Sequence, residues 1–354
     1  MSVGYVAVQW NRHKRLYDAC LAAGVVGYLA AFWLIGRMLY PPPHAVSDEI
    51  LIMRALATCA GLLLHVILCI GPLARLDRRF LPLLYNRRHL GVTLFVLALL
   101  HAAIAVGYYH GFGIVNPIWS LLTTNTNYGS VRAFPFQTLG LLALFIFFLM
   151  AATSHDYWLK NLGAAAWKRL HMLVYVAYAL VVMHVALGIL QTQHDSVWTG
   201  LVCVGVGVVI ALHVAAGWRE RRRDRGGPAL SPGAGWVDVG GTDEFCEGRG
   251  RAVAIGDGER IAVFKHQGRV YATTNVCAHQ GGPLGEGRII DGCITCPWHG
   301  WQYRPKDGCS PPPFTERIAT LRACVKNGRV EVDPAPLPPG TAVAPIGTVE
   351  VDHA

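Results

Sequence analysis

The chain has 354 residues, with 31 Lys or Arg against 22 Asp or Glu and a formal net charge of +9. Hydrophobic residues make up 53% and charged residues only 15%, which excludes a disordered chain and a wholly soluble one. The charge is also uneven. Residues 1–225 hold 19 basic and 8 acidic groups, a net of +11, and residues 226–354 hold 12 and 14, a net of −2. The basic excess therefore belongs to a membrane surface, where it attracts anionic lipid, and excludes a nucleic-acid footprint.

Six apolar stretches of about twenty residues, the length a helix needs to cross a bilayer, are read at 16–39, 50–73, 90–109, 136–153, 170–190 and 197–218. The first is too long, and lacks the small-residue cleavage pattern, for a removed signal peptide. No internal repeat is evident. Four connecting segments, 11–15, 75–89, 155–169 and 219–225, share one side and hold sixteen Lys or Arg; the opposite loops 41–48, 110–135 and 191–196 hold one, Arg132. Basic loops stay inside. The count puts both termini in the cytoplasm and predicts a multi-pass protein of the inner (cytoplasmic) membrane. The run 219–225 is read as a stop-transfer anchor, with a docking patch for an acidic redox partner as the alternative.

Histidines inside these stretches are the next signal, because an ionisable side chain in hydrocarbon is costly and marks function. His171 and His184 fall in one expected span, thirteen residues apart, which is about 20 Å along a helix. That separation suits two haems, one near each membrane surface. His101 lies level with His184, because the third and fifth spans run the same way. Interhelical hydrogen bonding is the alternative for any one of them; three at matching depths favour haem ligation. His65 in the second span and His213 in the sixth are read as packed or propionate-bonding, and Arg54 as a partner for a propionate.

The segments GLLLHVILCIGPLARL, NRRHLGVTLFVLALLHAAIAV and TSHDYWLKNLGAAAWKRLHMLVYVAYALVVMH resemble the ferric-reductase-like transmembrane domain, over about residues 45–220. That superfamily includes NADPH oxidases, ferric reductases and the haem subunit of the bacterial periplasmic methionine-sulfoxide reductase system. The resemblance implies b-type haem, one or two, with His101 and His184 matching the outer ligands and His171 one inner ligand. Oxidase members place a further His where this chain has Arg87, with His89 two residues later. His89 is taken as the remaining inner ligand; Arg87, or a haem with five ligands or none, are the alternatives.

A Gly/Pro/Ala-rich linker is read at 226–235. Beyond it stands Cys277-Ala-His279, then sixteen residues, then Cys296-Pro-Trp-His299. Each loop offers one thiolate and one imidazole. Two thiolates suit one iron of a [2Fe–2S] cluster and two imidazoles the other. Gly281 and Gly282 let the first loop bring backbone N–H groups towards the sulfurs, and Pro297 stiffens the second. A Cys2His2 zinc site is the alternative, but zinc fingers pair Cys with Cys and His with His. The stretch 236–334, with CAHQGGPLGEG and CPWHGWQY, resembles a Rieske domain of the ferredoxin and oxygenase branch. Gly282 and Trp298 stand where the cytochrome bc branch has its additional Cys pair. This implies a potential towards the low end of the Rieske range, about −150 mV. Cys246, Cys293, Cys309 and Cys324 read as ordinary thiols, and 335–354 as a tail or a strap.

The expected fold is multi-domain: an all-α six-span membrane helix bundle (1–225) followed by a small all-β Rieske domain. The resemblance would place an FAD- and NADPH-binding domain after the last span; here the Rieske loops stand in its place, with no G-x-G-x-x-G after a strand. Their two imidazoles are expected to be exposed. The expected function is outward electron transfer from a cytoplasmic flavoprotein or ferredoxin-type donor to a periplasmic or outer-face acceptor. Inward transfer from a quinol or periplasmic donor, a membrane redox sensor, and an oxygenase are the alternatives. The last needs a 2-His-1-carboxylate iron domain, for which about 120 residues after the linker leave no space.

Overall fold

The computed structural model describes residues 12–41, 46–80, 83, 87–154, 166–193, 196–225, 235–255, 259–279, 281–298, 300–344 and 346–347. The expected linker, apart from Gly235, lies outside the described residues, as do His299, 155–165 and the last seven positions. The chain divides into two compact units, one drawn from Trp10–Leu73 and Asn86–Val214 and the other dominated by Ala215–Ala354.

The helical unit is built on α1 (Arg12–Leu39), α2 (Asp48–Leu76), α3 (Arg87–His110), α4 (Pro117–Thr123), α5 (Phe136–Ala152), α6 (Ala166–Leu190) and α7 (Ser196–Arg225). Five of them, α1, α2, α3, α6 and α7, are long and apolar enough to cross a membrane. The fourth expected span is shorter. α5 has 17 residues, about 26 Å at 1.5 Å per residue, against about 30 Å of hydrocarbon. Among the described residues the expected six spans are therefore five full-length helices and one short apolar one.

Local chemistry sets the helix ends. Asp48 and Glu49 occupy the first turn of α2, where the helix dipole favours negative charge. Asn116 caps α4 by accepting from the backbone N–H of Ile118 (3.0 Å) and Trp119 (3.4 Å), with Pro117 at the first position. α6 is interrupted at Leu173, runs regularly over Val174–Val185 and widens into π-type turns at Ala186–Leu190.

The helical core joins Leu56, Leu64 and Leu68 of α2, Leu94 and Leu97 of α3, Ala143 and Phe147 of α5, and Ala177 and Tyr178 of α6. On α3 the buried residues Leu90, Leu94 and Leu97 repeat at helical spacing, and the next position of that row is His101. His184 follows Ala177 by two turns. The sequence row that buries the core thus also carries the two histidines inwards. Val26, Leu34, Val204 and Val208 are exposed, as faces meeting lipid must be.

The β unit contains three antiparallel sheets. β1 (Val237–Gly241), β10 (Arg329–Val332) and β9 (Ala323–Lys326) form the first. β2 (Gly250–Ile255), β3 (Glu259–His266), β4 (Arg269–Thr274) and β11 (Ile346–Gly347) form the second, with β8 (Thr320–Leu321) also on β4. β5 (Arg288–Ile290), β6 (Cys293–Thr295) and β7 (Gln302–Tyr303) form the third. Residues of the expected tail return to the sheet as a strap, with Ile346 opposite Val270 and Leu337 N–H donating to the Thr320 carbonyl at 2.9 Å. Phe264, Leu284, Ile294 and Tyr303 are fully buried and pack beneath the two Cys/His loops. Burying each such side chain is worth about 1.5–3 kcal/mol, so the platform under the loops is the rigid part of this unit.

Candidate metal centres

Both Rieske loops are hairpin ends fastened to that platform. β6 and β7 pair Ile294 with Tyr303 and Thr295 with Gln302, so 296–301 closes the hairpin, with Cys296 N–H donating to the Trp301 carbonyl at 2.8 Å. The first loop is closed by Cys277 N–H to the Gly282 carbonyl (2.9 Å) and by Leu284 N–H to the Asn275 carbonyl (2.9 Å). Asn275 also accepts from Gly285 N–H through its side chain at 2.7 Å. Gly281 and Gly300 have φ of +69° and +73°, a region glycine enters without steric cost. Cys277 and Cys296 are each only 1% exposed. A Cβ on Gly282 would lie 2.7 Å from the Cys296 sulfur, so this glycine keeps the space beside that sulfur clear.

Tyr303 is the residue the motif reading passed over. Its hydroxyl lies 3.2 Å from the Cys277 sulfur and accepts from the His279 backbone N–H at 3.2 Å. Burial, with the Cys277 and Cys296 thiols beside it, pushes its phenol far above the ordinary range, so it stays a protonated donor to the sulfur. Hydrogen bonds to cluster sulfurs raise the potential by stabilising the more negative reduced state. Tyr303→Phe is therefore expected to lower the cluster midpoint by a tenfold shift in the redox ratio, about 59 mV for one electron. The mutant should also be less stable by about 1 kcal/mol. Potentiometry with EPR detection checks the first effect and thermal unfolding the second; an unchanged midpoint contradicts the hydrogen bond's role.

His279 departs from expectation. It is buried (8% exposed) rather than open to solvent, because its ring lies flat on Trp301, with centroids 4.0 Å apart and planes at 7°. Beside it Val276 is exposed, at 62%. His299 lies outside the described residues. Among the described residues no three His, Cys, Asp or Glu side chains converge on one point; a two-iron cluster asks only for a pair of ligands on each iron. The buried thiols, the imidazole and the cleared space at Gly282 fit a [2Fe–2S] cluster. Burial pushes the Cys293 and Cys324 thiols up, which keeps them protonated and inert.

In the helical unit the histidines sort by what each ring nitrogen does. His101 donates from Nδ1 to the Met53 carbonyl (3.0 Å) and His184 from Nδ1 to the Phe136 carbonyl (2.8 Å). Both acceptors lie near the starts of α2 and α5, and both histidines towards the ends of α3 and α6. No hydrogen bond engages either Nε2 among the described residues. A ring fixed through Nδ1 with Nε2 left over is the arrangement of a metal-ligating histidine. Gly140 makes room for it, since a Cβ there would sit 2.9 Å from the His184 ring.

At the other end of these helices, His171 donates from Nδ1 to the Trp167 carbonyl (3.0 Å) and stacks on the Trp167 ring at 3.7 Å. Its Nε2 is buried without a hydrogen-bond partner, a cost no folded protein carries idly. Arg87 and Arg88 lie within electrostatic range of His171. His89, in the first turn of α3, gives Nδ1 to the Asp18 carboxylate. By contrast, His65 and His213 have both nitrogens engaged. Their Nδ1 atoms donate to Gly61 (2.7 Å) and Val209 (2.8 Å), and their Nε2 atoms accept from Tyr178 and Tyr175, each at 3.1 Å. They fit the packed role expected of them. Residues 101, 184, 171 and 89 fit haem through one spare nitrogen each. The carbonyl acceptors that orient three of them carry no side-chain signature and were invisible in the sequence.

Comparison with known proteins agrees with this division. Residues 54–182 match the ferric reductase like transmembrane component model and residues 235–322 the Rieske [2Fe-2S] domain model. The chain is 31% identical over 217 residues to the protein-methionine-sulfoxide reductase heme-binding subunit MsrQ of Caulobacter vibrioides, covering 60% of this chain and 93% of that one. It is 33% identical over 104 residues to the ferredoxin component of the alkene monooxygenase system of Xanthobacter autotrophicus, covering 29% of this chain and 84% of that one. A match to cholesterol 7-desaturase of Xenopus laevis, 39% identical over 84 residues, takes in 21% of this chain and only 18% of that protein's length. The chain belongs to the ferric-reductase-like transmembrane family, carries a Rieske domain in the same polypeptide, and is a multi-pass membrane electron-transfer protein.

Proposed function

We propose that this protein moves electrons outward across the cytoplasmic (inner) membrane, from a cytoplasmic flavoprotein or ferredoxin-type donor to an acceptor at the outer face. The carrying observation is the placement of four histidines at two levels of the same helices. His89 and His171 stand near the starts of α3 and α6, and His101 and His184 towards their ends. When bound, a [2Fe–2S] cluster at Cys277, Cys296, His279 and His299, and haem b at the two histidine levels, supply one-electron carriers.

The protein's own residues do the rest. Backbone carbonyls of Met53, Phe136 and Trp167 hold three imidazoles in the tautomer that leaves Nε2 for iron. The apolar core of α2, α3, α5 and α6 keeps water from these positions. Val276, exposed beside Cys277, offers an apolar contact to a redox partner where His279 is covered by Trp301. The relatives support the two roles separately. The Xanthobacter protein is a ferredoxin component, and the Caulobacter protein is a heme-binding subunit of a reductase.

Sidedness rests on the charge of the loops, sixteen Lys or Arg on one side against one on the other, and direction on the low potential that the Rieske loops imply. Protease added to everted membrane vesicles should release the Rieske unit, and protease added to right-side-out vesicles should leave it intact. Cleavage of that unit in right-side-out vesicles contradicts the orientation.

A further inference from the structure

Three of the four candidate haem ligands donate their Nδ1 proton to a neutral backbone carbonyl: His101 to Met53, His184 to Phe136 and His171 to Trp167. His89 alone donates to a carboxylate, that of Asp18. The pair is half sheltered, with side chains 27% and 26% exposed, and the Tyr17 ring stands edge-on to His89 at 6.3 Å. Asp18 lies in the first apolar stretch, where a carboxylate needs a reason. It sits on α1, outside the residues 54–182 that match the family model.

A carboxylate behind a ligating imidazole does what a carbonyl does, fixing the tautomer and the ring. It also gives the ligand more anionic character, which favours the more highly charged oxidised metal. Resting on the reading of His89 as an inner-haem ligand, we infer that Asp18 is a positioning residue that makes the two haem levels unequal. It holds the inner level at a lower potential than the outer, where both imidazoles lean on neutral carbonyls. The bias makes the inner-to-outer step downhill. It acts against Arg87 and Arg88, whose charges reach the same end of the bundle. The N-terminal helix would thus set the direction of transfer.

Spectroscopic redox titration of the purified full-length protein tests this with three variants, Asp18→Asn, Asp18→Glu and His89→Ala. In Asp18→Asn the lower-potential haem should shift upward by at least a tenfold change in redox ratio, about 59 mV for one electron, while the higher-potential haem stays within threefold. Asp18→Glu should return most of the shift, which a purely structural role for Asp18 does not predict. His89→Ala should abolish the six-coordinate low-spin signature of the inner haem. If His89→Ala keeps that signature, the ligand reading fails and the inference with it. If His89→Ala loses it but Asp18→Asn leaves both midpoints in place, the ligand stands and the inference is overturned. If Asp18→Asn yields no haem-loaded protein, Asp18→Glu decides: a midpoint within threefold of the parent supports the inference, and a tenfold or larger shift overturns it.

Discussion

Cys296→Ser is expected to remove the Rieske EPR signal completely while the haem optical bands remain. The sulfur lies in a buried hairpin end, 1% exposed, and serine is a poor replacement for a thiolate ligand to iron. Cys277→Ser should behave alike. Cys246→Ser is the control, because that thiol is exposed and lies outside the loop core. Chemical reduction by dithionite should still reach the haem in Cys296→Ser. A full cluster signal in that variant would show that the two-loop assignment is wrong. Stoichiometric zinc in the unmodified protein, without the EPR signal, would restore the zinc alternative.

His101→Ala and His184→Ala should each eliminate the outer haem and leave the cluster signal intact. The contrast within the bundle gives the prediction its force. His65 and His213 are histidines in equally apolar helices, but each has its Nε2 lone pair taken by a tyrosine hydroxyl at 3.1 Å. Recruiting either to iron would first break a hydrogen bond worth about 1 kcal/mol and leave a polar group unpaired. His65→Ala and His213→Ala should therefore keep full haem content, measured as the pyridine haemochrome per protein. Full haem in both His101→Ala and His184→Ala contradicts the outer pair. Loss of haem in His65→Ala would move the ligand to α2.

The two-unit architecture was legible because its signals are strong and local. Long apolar stretches report helices through the cost of burying unpaired backbone in lipid, and the mixed Cys/His loops report a cluster through ligand chemistry. His101 and His184 were legible as histidines at one depth on two spans expected to run the same way. Other features depend on contacts between distant segments. The flat stacking of His279 on Trp301 covers an imidazole expected to be open, and no spacing rule predicts a ring's exposure. The strand at Ile346–Gly347 pairs with β4 across a long separation, so a stretch without evident pattern became part of a sheet. The short α5 had the composition of a span but too few residues before Thr153 and Ser154, whose hydroxyls bond back to Leu149 and Met150. Asp18 did leave a signal, an acidic residue inside an apolar stretch, but its partner His89 is 71 positions away.

The most direct test of the central claim is to ask whether electrons reach the haem by way of the Rieske loops. The full-length protein in lipid vesicles is mixed rapidly with NADPH and a ferredoxin reductase, and the haem band is followed optically while freeze-quenched samples report the cluster by EPR. The Rieske signal is expected to appear first and haem reduction to follow, and Cys296→Ser is expected to abolish haem reduction from this donor while dithionite still reduces it. Haem reduction at the parent rate in Cys296→Ser, or haem reduced before the cluster in the parent protein, would contradict the claim.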